Sequence, residues 1–225
     1  LQSDGQFQNW DEIANYPIDN DGYGNKTLRP GDIRYKDQNG DGVINNMDEV
    51  PIGYQTGNTP NFNYGFNFAF KWKGFDLAFD LTGGSGIGFM PNWEQKRPFH
   101  EGGNNPEYYL SDCWTLSDIW DANSTLVKGK YPMPLIGNAS HSNYWTSDFW
   151  FQNVRYIKMR NLEVGYSLPQ QWLKYAKIKS LRLYVAGSNL FTITNKHGFD
   201  PEGTTESGLQ YPTTRVINVG FNLKF

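Results

Sequence analysis

Hydrophobic and polar residues alternate over several long stretches of this chain. In Phe62–Trp72, the residues Phe62, Tyr64, Phe66, Phe68, Phe70 and Trp72 hold every even position, and Asn63, Gly65, Asn67, Ala69 and Lys71 hold the odd ones. Successive side chains of a strand point to opposite faces, so this pattern predicts a strand with one aromatic face and one polar face. Lys73-Gly74 predicts a two-residue hairpin turn. The partner strand, expected over about 75–84, then sets Phe75, Leu77, Phe79 and Leu81 against Asp76, Ala78, Asp80 and Thr82. Three more strands are expected: 154–168, with Leu162, Val164, Tyr166 and Leu168 on one face; 180–191, with Leu181, Leu183 and Val185; and 214–225, where Ile217, Val219, Phe221, Leu223 and Phe225 oppose Asn218, Gly220, Asn222 and Lys224.

Six aromatics on one face of eleven residues match the length a tilted strand needs to cross a bilayer. In a soluble sheet such rings must be buried under a second layer. In an outer-membrane barrel they face lipid, while the polar residues face a wet lumen and aromatics collect at the interfaces. Five strands at roughly 4.8 Å spacing span an arc of about 24 Å, and about eight are needed for the smallest barrel. The expected fold class is therefore all-β: the C-terminal segment of a large antiparallel transmembrane β-barrel, with long extracellular loops. The order Asn218, Gly220, Leu223, Phe225 also resembles the C-terminal signal by which bacterial outer-membrane proteins are recognised for insertion.

Composition narrows the picture further. The 225 residues carry a net charge of −3, which offers no basic field for nucleic acid. With 8 Trp, 14 Tyr, 15 Phe and 24 Gly, the chain suits strands and turns better than helical bundles. No run of 18 apolar residues is present, so no transmembrane helix is expected. The single cysteine, Cys113, excludes an intrachain disulfide. No signal peptide opens the chain, so a leader is expected either to have been removed or to lie on a longer polypeptide.

Between the periodic segments lie turn-rich stretches. Residues 1–61 are rich in Asp, Asn, Gly and Pro and read as an extracellular loop region with one short strand near Asp32-Ile33-Arg34-Tyr35. The stretch 83–153, opened by Gly83-Gly-Ser-Gly-Ile-Gly88 as a strand end, reads as a long extracellular loop, and long loops are usually functional. A short helix is expected over 169–175, with Pro169 at its start, and a second loop over 192–213. Within the first region, Asp37, Asn39, Asp41, Val43, Asn45 and Asp48 follow the spacing of a twelve-residue calcium loop, with Gly42 at the sharp turn. Asp48 stands where the pattern has Glu, and no amphipathic helix flanks the loop. A structural Ca²⁺ is expected; an Asp/Asn/Gly turn closed by side chain–backbone bonds is the alternative. His100, His141 and His197 lack metal-ligand spacing, and the loop carboxylates Glu94, Glu101, Glu107, Asp112 and Asp118 read as solvated, so no enzyme is expected.

A family resemblance now becomes visible. Pro30-Gly-Asp-Ile-Arg-Tyr-Lys-Asp-Gln-Asn-Gly-Asp-Gly-Val-Ile44, Ile52-Gly53, Pro60-Asn-Phe-Asn-Tyr-Gly-Phe66 and Lys73-Gly-Phe-Asp-Leu77 resemble SusC/RagA-type TonB-dependent transporters of Bacteroidetes. Ser147-Asp-Phe-Trp150, Tyr156-Ile-Lys-Met-Arg-Asn-Leu162, Gly165-Tyr-Ser-Leu-Pro169 and Ser188-Asn-Leu-Phe191 continue the series in the same order. The resemblance implies a 22-stranded, plugged barrel in the outer membrane of a Gram-negative bacterium, of which these are the last five strands. The plug, the remaining strands and the segment that meets TonB would lie outside this chain. It further implies a SusD-like surface lipoprotein as partner and a glycan or peptide as cargo. Trp93, Trp114, Trp120, Trp145 and Trp150 are then candidates to stack on cargo or meet the partner, with loop-core packing as the alternative role for each. The competing function is a soluble, secreted, Ca²⁺-stabilised glycan-binding β-sandwich, which would bury Phe66, Phe68 and Phe221.

Overall fold

The computed structural model describes residues 1–225 apart from 54–58, 139, 197–199, 204, 206 and 208–209. In chain order the elements are β1 (Ser3–Gln6), α1 (Trp10–Ala14), β2 (Ile33–Tyr35), β3 (Phe62–Trp72), β4 (Phe75–Phe89), α2 (Glu107–Leu110), β5 (Thr115–Leu116), β6 (Leu126–Val127), β7 (Gln152–Ser167), α3 (Gln170–Leu173), β8 (Ser180–Ser188), β9 (Thr192–Thr194) and β10 (Val216–Lys224). The five long strands form one antiparallel sheet in the order β10-β8-β7-β4-β3, and β9 pairs with β7.

Register carries the alternation from strand to strand. Phe68 lies opposite Phe79, Phe79 opposite Leu162, Val164 opposite Val185, and Val185 opposite Val219. Directly opposed residues share a face, so the apolar rows merge into one continuous surface. Phe68 and Phe79 stack with ring centroids 5.1 Å apart, and Phe75 meets Tyr166 at 4.5 Å. Nothing among the described residues covers this surface: Phe66 is 56 % exposed and Phe221 65 %. A sandwich would have required a second sheet there. Among the described residues no helix is long and apolar enough to cross a membrane.

The hairpin turn forms as expected, with Lys73 at φ 47° and Gly74 at φ 90°. Two consecutive positive φ values are the geometry whose twist matches a two-residue hairpin. β4 departs from expectation: it continues through the glycine-rich segment to Phe89 instead of entering a loop near residue 84. Glycines weaken strand propensity, but here they make room. A Cβ on Gly83 would lie 2.2 Å from the Tyr64 ring, which crosses the strand to donate a hydrogen bond to the Tyr156 carbonyl at 2.5 Å.

The short connections, the 73–74 turn and the 168–179 link, lie at one end of the sheet, and the long loops lie at the other. Residues 1–50 and 90–150, read separately in sequence, pack into one assembly at the long-loop end. Its core gathers Ile33, Tyr35 and Ile44 from the first segment with Tyr109, Tyr131, Tyr144 and Trp150 from the second.

Candidate functional site

The polar face of the sheet is a charged wall. Arg182 on β8 donates through Nε to Asp76 Oδ1 on β4 at 3.0 Å, and through Nη2 to Asp76 and to Glu163 on β7, the latter at 2.6 Å. The guanidinium crosses the intervening strand above Gly165, where a Cβ would sit 2.4 Å from Nη2. Between Asp80↔Asn161 and Leu81↔Met159 the register slips, leaving Arg160 as an extra residue. This bulge turns both Arg160 and Asn161 to the polar face: Arg160 Nε donates to Thr82 Oγ1 at 2.8 Å, and Asn161 Nδ2 to Asp80 at 3.1 Å.

Higher on the same wall, Lys158 is 1 % exposed and donates to Asp200 at 2.7 Å and Glu202 at 3.1 Å, carboxylates from the loop after β9. Glu202 also receives the Arg160 guanidinium and the Tyr156 hydroxyl, the latter at 3.0 Å. Thr213 Oγ1 donates to Asp200 at 2.6 Å. Partial burial pushes both carboxyls up, but bonds from Lys158 and Thr213 to Asp200, and from Arg160, Lys158 and Tyr156 to Glu202, outweigh it. Both groups titrate below the ordinary carboxylate range. A buried lysine is tolerated only when paired in this way. The residues around 200–203 are thereby strapped inward onto the polar wall, an arrangement no local sequence signal announced.

In the loop assembly, β1 pairs with one edge of β2, and two buried amides serve its remaining backbone groups. Asn20 Oδ1 accepts from Tyr35 N–H at 2.8 Å while its Nδ2 donates to the Ile33 carbonyl at 2.9 Å. Asn143 Oδ1 accepts from Ile33 N–H at 2.9 Å while its Nδ2 donates to Asp32 at 2.7 Å. Burial raises the Asp32 carboxyl above its usual range, against the opposing pull of Asn143 and His141.

The five candidate tryptophans separate into two groups. Trp114 and Trp150 are each 2 % exposed, which corrects the expectation that they could meet cargo or partner. Trp114 packs on Gly31, and Trp150 stacks with Tyr109 and Tyr131 while donating to the Asn143 carbonyl at 2.7 Å. Their role is loop packing. Trp93 is partly exposed beside His100, and Trp120 is 91 % exposed at the β5–β6 tip. Trp145 is half-buried, stacks on Tyr35 with centroids 5.7 Å apart, and borders an open cleft of about 600 Å³ with Val43, Asn45 and Tyr144. His197 lies outside the described residues.

The calcium-like loop closes largely through its own bonds. Asp37 accepts from Gly40 and Gly42 N–H at 2.7 and 2.9 Å, Asp41 from Val43 at 2.9 Å, and buried Asp48 from Gln38 and Asn45, both at 2.8 Å. The Val43 N–H and the Asn39 amide hold the Asp41 carboxyl below its usual range. Gly42, at φ 84°, makes the expected sharp turn. Three carboxylates, two amides and a carbonyl are a donor set that suits a hard divalent cation. Among the described residues, however, no three His, Cys, Asp or Glu side chains converge as a metal cluster.

No protein-family model matches the chain. It is 28 % identical over 238 residues to TonB-dependent receptor P3 of Formosa agariphila, across 98 % of this chain and 22 % of the relative. It is 24 % identical over 205 residues to TonB-dependent receptor SusC of Bacteroides thetaiotaomicron, across 88 % and 18 %. Among solved structures, the RagAB peptide importer in its open-open state superposes with a TM-score of 0.60 at 23 % identity, over 87 % of this chain and 21 % of that one. Its closed-closed state gives 0.55 at 24 %, over 83 % and 20 %. The chain thus spans about a fifth of the length of the proteins it matches.

Proposed function

Taking the chain as a barrel segment of the SusC/RagA type of TonB-dependent transporter, we propose that it forms the C-terminal wall of an outer-membrane importer. The observation that carries this reading is the two-sidedness of the sheet. One face is a bare apolar surface running from Phe62 on β3 to Leu223 on β10, and the other is polar and ion-paired. Lipid on the first side and a wet lumen on the second satisfy both faces; water on both sides leaves the aromatic rows exposed. The long-loop end then faces the cell exterior and the short-turn end the periplasm.

In this reading the cargo is an oligosaccharide or a peptide, a SusD-like lipoprotein covers the loop end, and TonB acts through parts of the polypeptide outside this chain. Of the five candidate tryptophans, Trp120, Trp93 and Trp145 at its cleft are left free for cargo or lipoprotein. The wall itself binds and guides and performs no chemistry. Support for the lipoprotein and cargo comes from the likeness to SusC and to a structure described as a peptide importer.

Ca²⁺ at Asp37, Asn39, Asp41, Val43, Asn45 and Asp48 belongs to the same proposal and rests on residue order. It requires that a chelator raise protease sensitivity over residues 30–50; sensitivity unchanged by chelator removes the ion. The insertion signal at Asn218, Gly220, Leu223 and Phe225 requires Phe225→Ala to lower surface levels of the intact transporter.

The import reading is tested by deleting the intact gene and measuring uptake of labelled oligosaccharides and peptides, with affinity capture of the transporter to recover its lipoprotein. Loss of uptake of one cargo class, restored by the gene, is the expected result. Unchanged uptake of every cargo tried, with no lipoprotein recovered, would overturn it.

A further inference from the structure

The short-turn end of the sheet segregates charge in a way the chain as a whole does not. The net charge is −3, yet the segments 71–76, 163–182 and 222–225 carry Lys71, Lys73, Lys174, Lys177, Lys179 and Lys224, with Arg182 paired to both Asp76 and Glu163. Topology brings these segments to one rim. Ser167 N–H donates to the Gly74 carbonyl at 2.8 Å and Lys179 N–H to the Lys224 carbonyl at 2.8 Å, tying the turn, the β7–β8 link and the end of β10 together. All six lysines are exposed, and among the described residues none forms an ion pair.

Exposed aromatics flank the same charges. Trp72 ends the outward aromatic row and carries the Lys73 ammonium 4.9 Å from its ring centre, and Trp172 and Tyr175 stand exposed in the β7–β8 link. Aromatic rings with neighbouring lysines suit a lipid–water interface, where the ring sits at headgroup depth and the lysine stem extends toward the charged layer. Like charges gathered on one rim repel each other, and an external anion relieves that repulsion.

We propose that this rim binds anionic glycerophospholipid headgroups of the leaflet that meets the short turns. The inference rests on the importer reading, because it needs the apolar face to lie in a bilayer. Lys73, Lys174, Lys177 and Lys179 hold headgroup phosphates, and Trp72, Trp172 and Tyr175 fix the depth. The bound lipid would anchor the rim on which the β3–β4 and β7–β8 connections turn.

The test uses the intact transporter in nanodiscs of equal phosphatidylglycerol and phosphatidylethanolamine. Native mass spectrometry reads the lipid retained by the wild type and by the K73Q/K174Q/K177Q/K179Q variant. The expected result is retention of phosphatidylglycerol by the wild type and a loss of at least about tenfold in that preference in the variant. Single changes Lys73→Gln and Lys174→Gln should each give part of the loss, so the result does not hang on the quadruple variant folding. Lipid A, added as competitor, should not displace the phospholipid; displacement would overturn the assignment to a glycerophospholipid. Heat-modifiable migration reports insertion separately. A wild type that does not insert defeats the importer reading, whereas a wild type that inserts without preference, or variants that keep it, defeats this inference alone.

Discussion

Arg182 reaches Asp76 across an intervening strand, and the two meet because Gly165 beneath them has no side chain. The pair ties β8 to β4 over β7, adding a side-chain tie to the backbone ladder on the polar face.

Gly165→Val in the full-length transporter should therefore be costly although the residue makes no side-chain contact of its own. The valine must displace the guanidinium or the strand, an overpacking cost of about 1–3 kcal/mol. An earlier thermal transition of the purified barrel, seen as loss of the compact electrophoretic form, is the expected readout. A wild-type transition would show that the crossing geometry contributes nothing.

Acid should release the loop strapped to the polar wall. Asp200 and Glu202 titrate below the usual carboxylate range in the folded state, so their contribution is complete above that range. It is lost as pH falls through the depressed values. Hydrogen exchange of residues 200–203 should rise steeply with acidification after correction for intrinsic rate, before β7 and β8 lose protection. Lys158→Met should produce the same exposure at neutral pH. Exchange that tracks the strands at every pH would contradict the strap.

Asn143 joins segments more than a hundred residues apart. Asn143→Ala leaves the Ile33 N–H and one Asp32 oxygen without partners in a buried site, at a cost of about 1–3 kcal/mol. Limited proteolysis within residues 1–50 should accelerate while the barrel's heat-modifiability stays unchanged.

The tryptophans offer an internal contrast. Trp150→Ala removes a stacked, hydrogen-bonded ring and should cost about 3–5 kcal/mol of loop stability. Trp120→Ala, at an exposed tip, should stay within about 0.5 kcal/mol while lowering lipoprotein or cargo affinity. Equal destabilisation by both would refute the division between packing and contact residues.

The long strands are legible because a period of two, sustained over five to eleven residues, admits few other structures. The full length of β4 is not legible because Gly83, Gly84 and Gly86 lower strand propensity, and their reason for being there, the ring of Tyr64 and the chain at Pro60 and Asn61, comes from elsewhere in the chain. Of the loop assembly only pieces are legible, the strand near Ile33–Tyr35 and the turn at Gly42, and not their packing against residues 90–150. Asn20 and Asn143 look like ordinary turn residues, and only the fold places them along β2. In the same way Trp114 and Trp150 differ from Trp120 by burial alone, and no periodic pattern in a loop encodes burial. The calcium-like spacing was plain, but spacing is also compatible with the self-closed turn the side chains form.

The direct test of the central claim is the alternation of environment along β3 in the intact transporter. In a background with Cys113→Ser and every other cysteine of the intact transporter replaced, spin labels are placed singly through Phe66→Cys, Asn67→Cys, Phe68→Cys and Ala69→Cys, and their relaxation by oxygen and by a water-soluble nickel chelate is compared in membranes. Labels at 66 and 68 should respond to oxygen and be shielded from nickel, with 67 and 69 the reverse. Equal access of nickel to all four, or shielding of 66 and 68 from both reagents, would contradict a lipid-facing aromatic row.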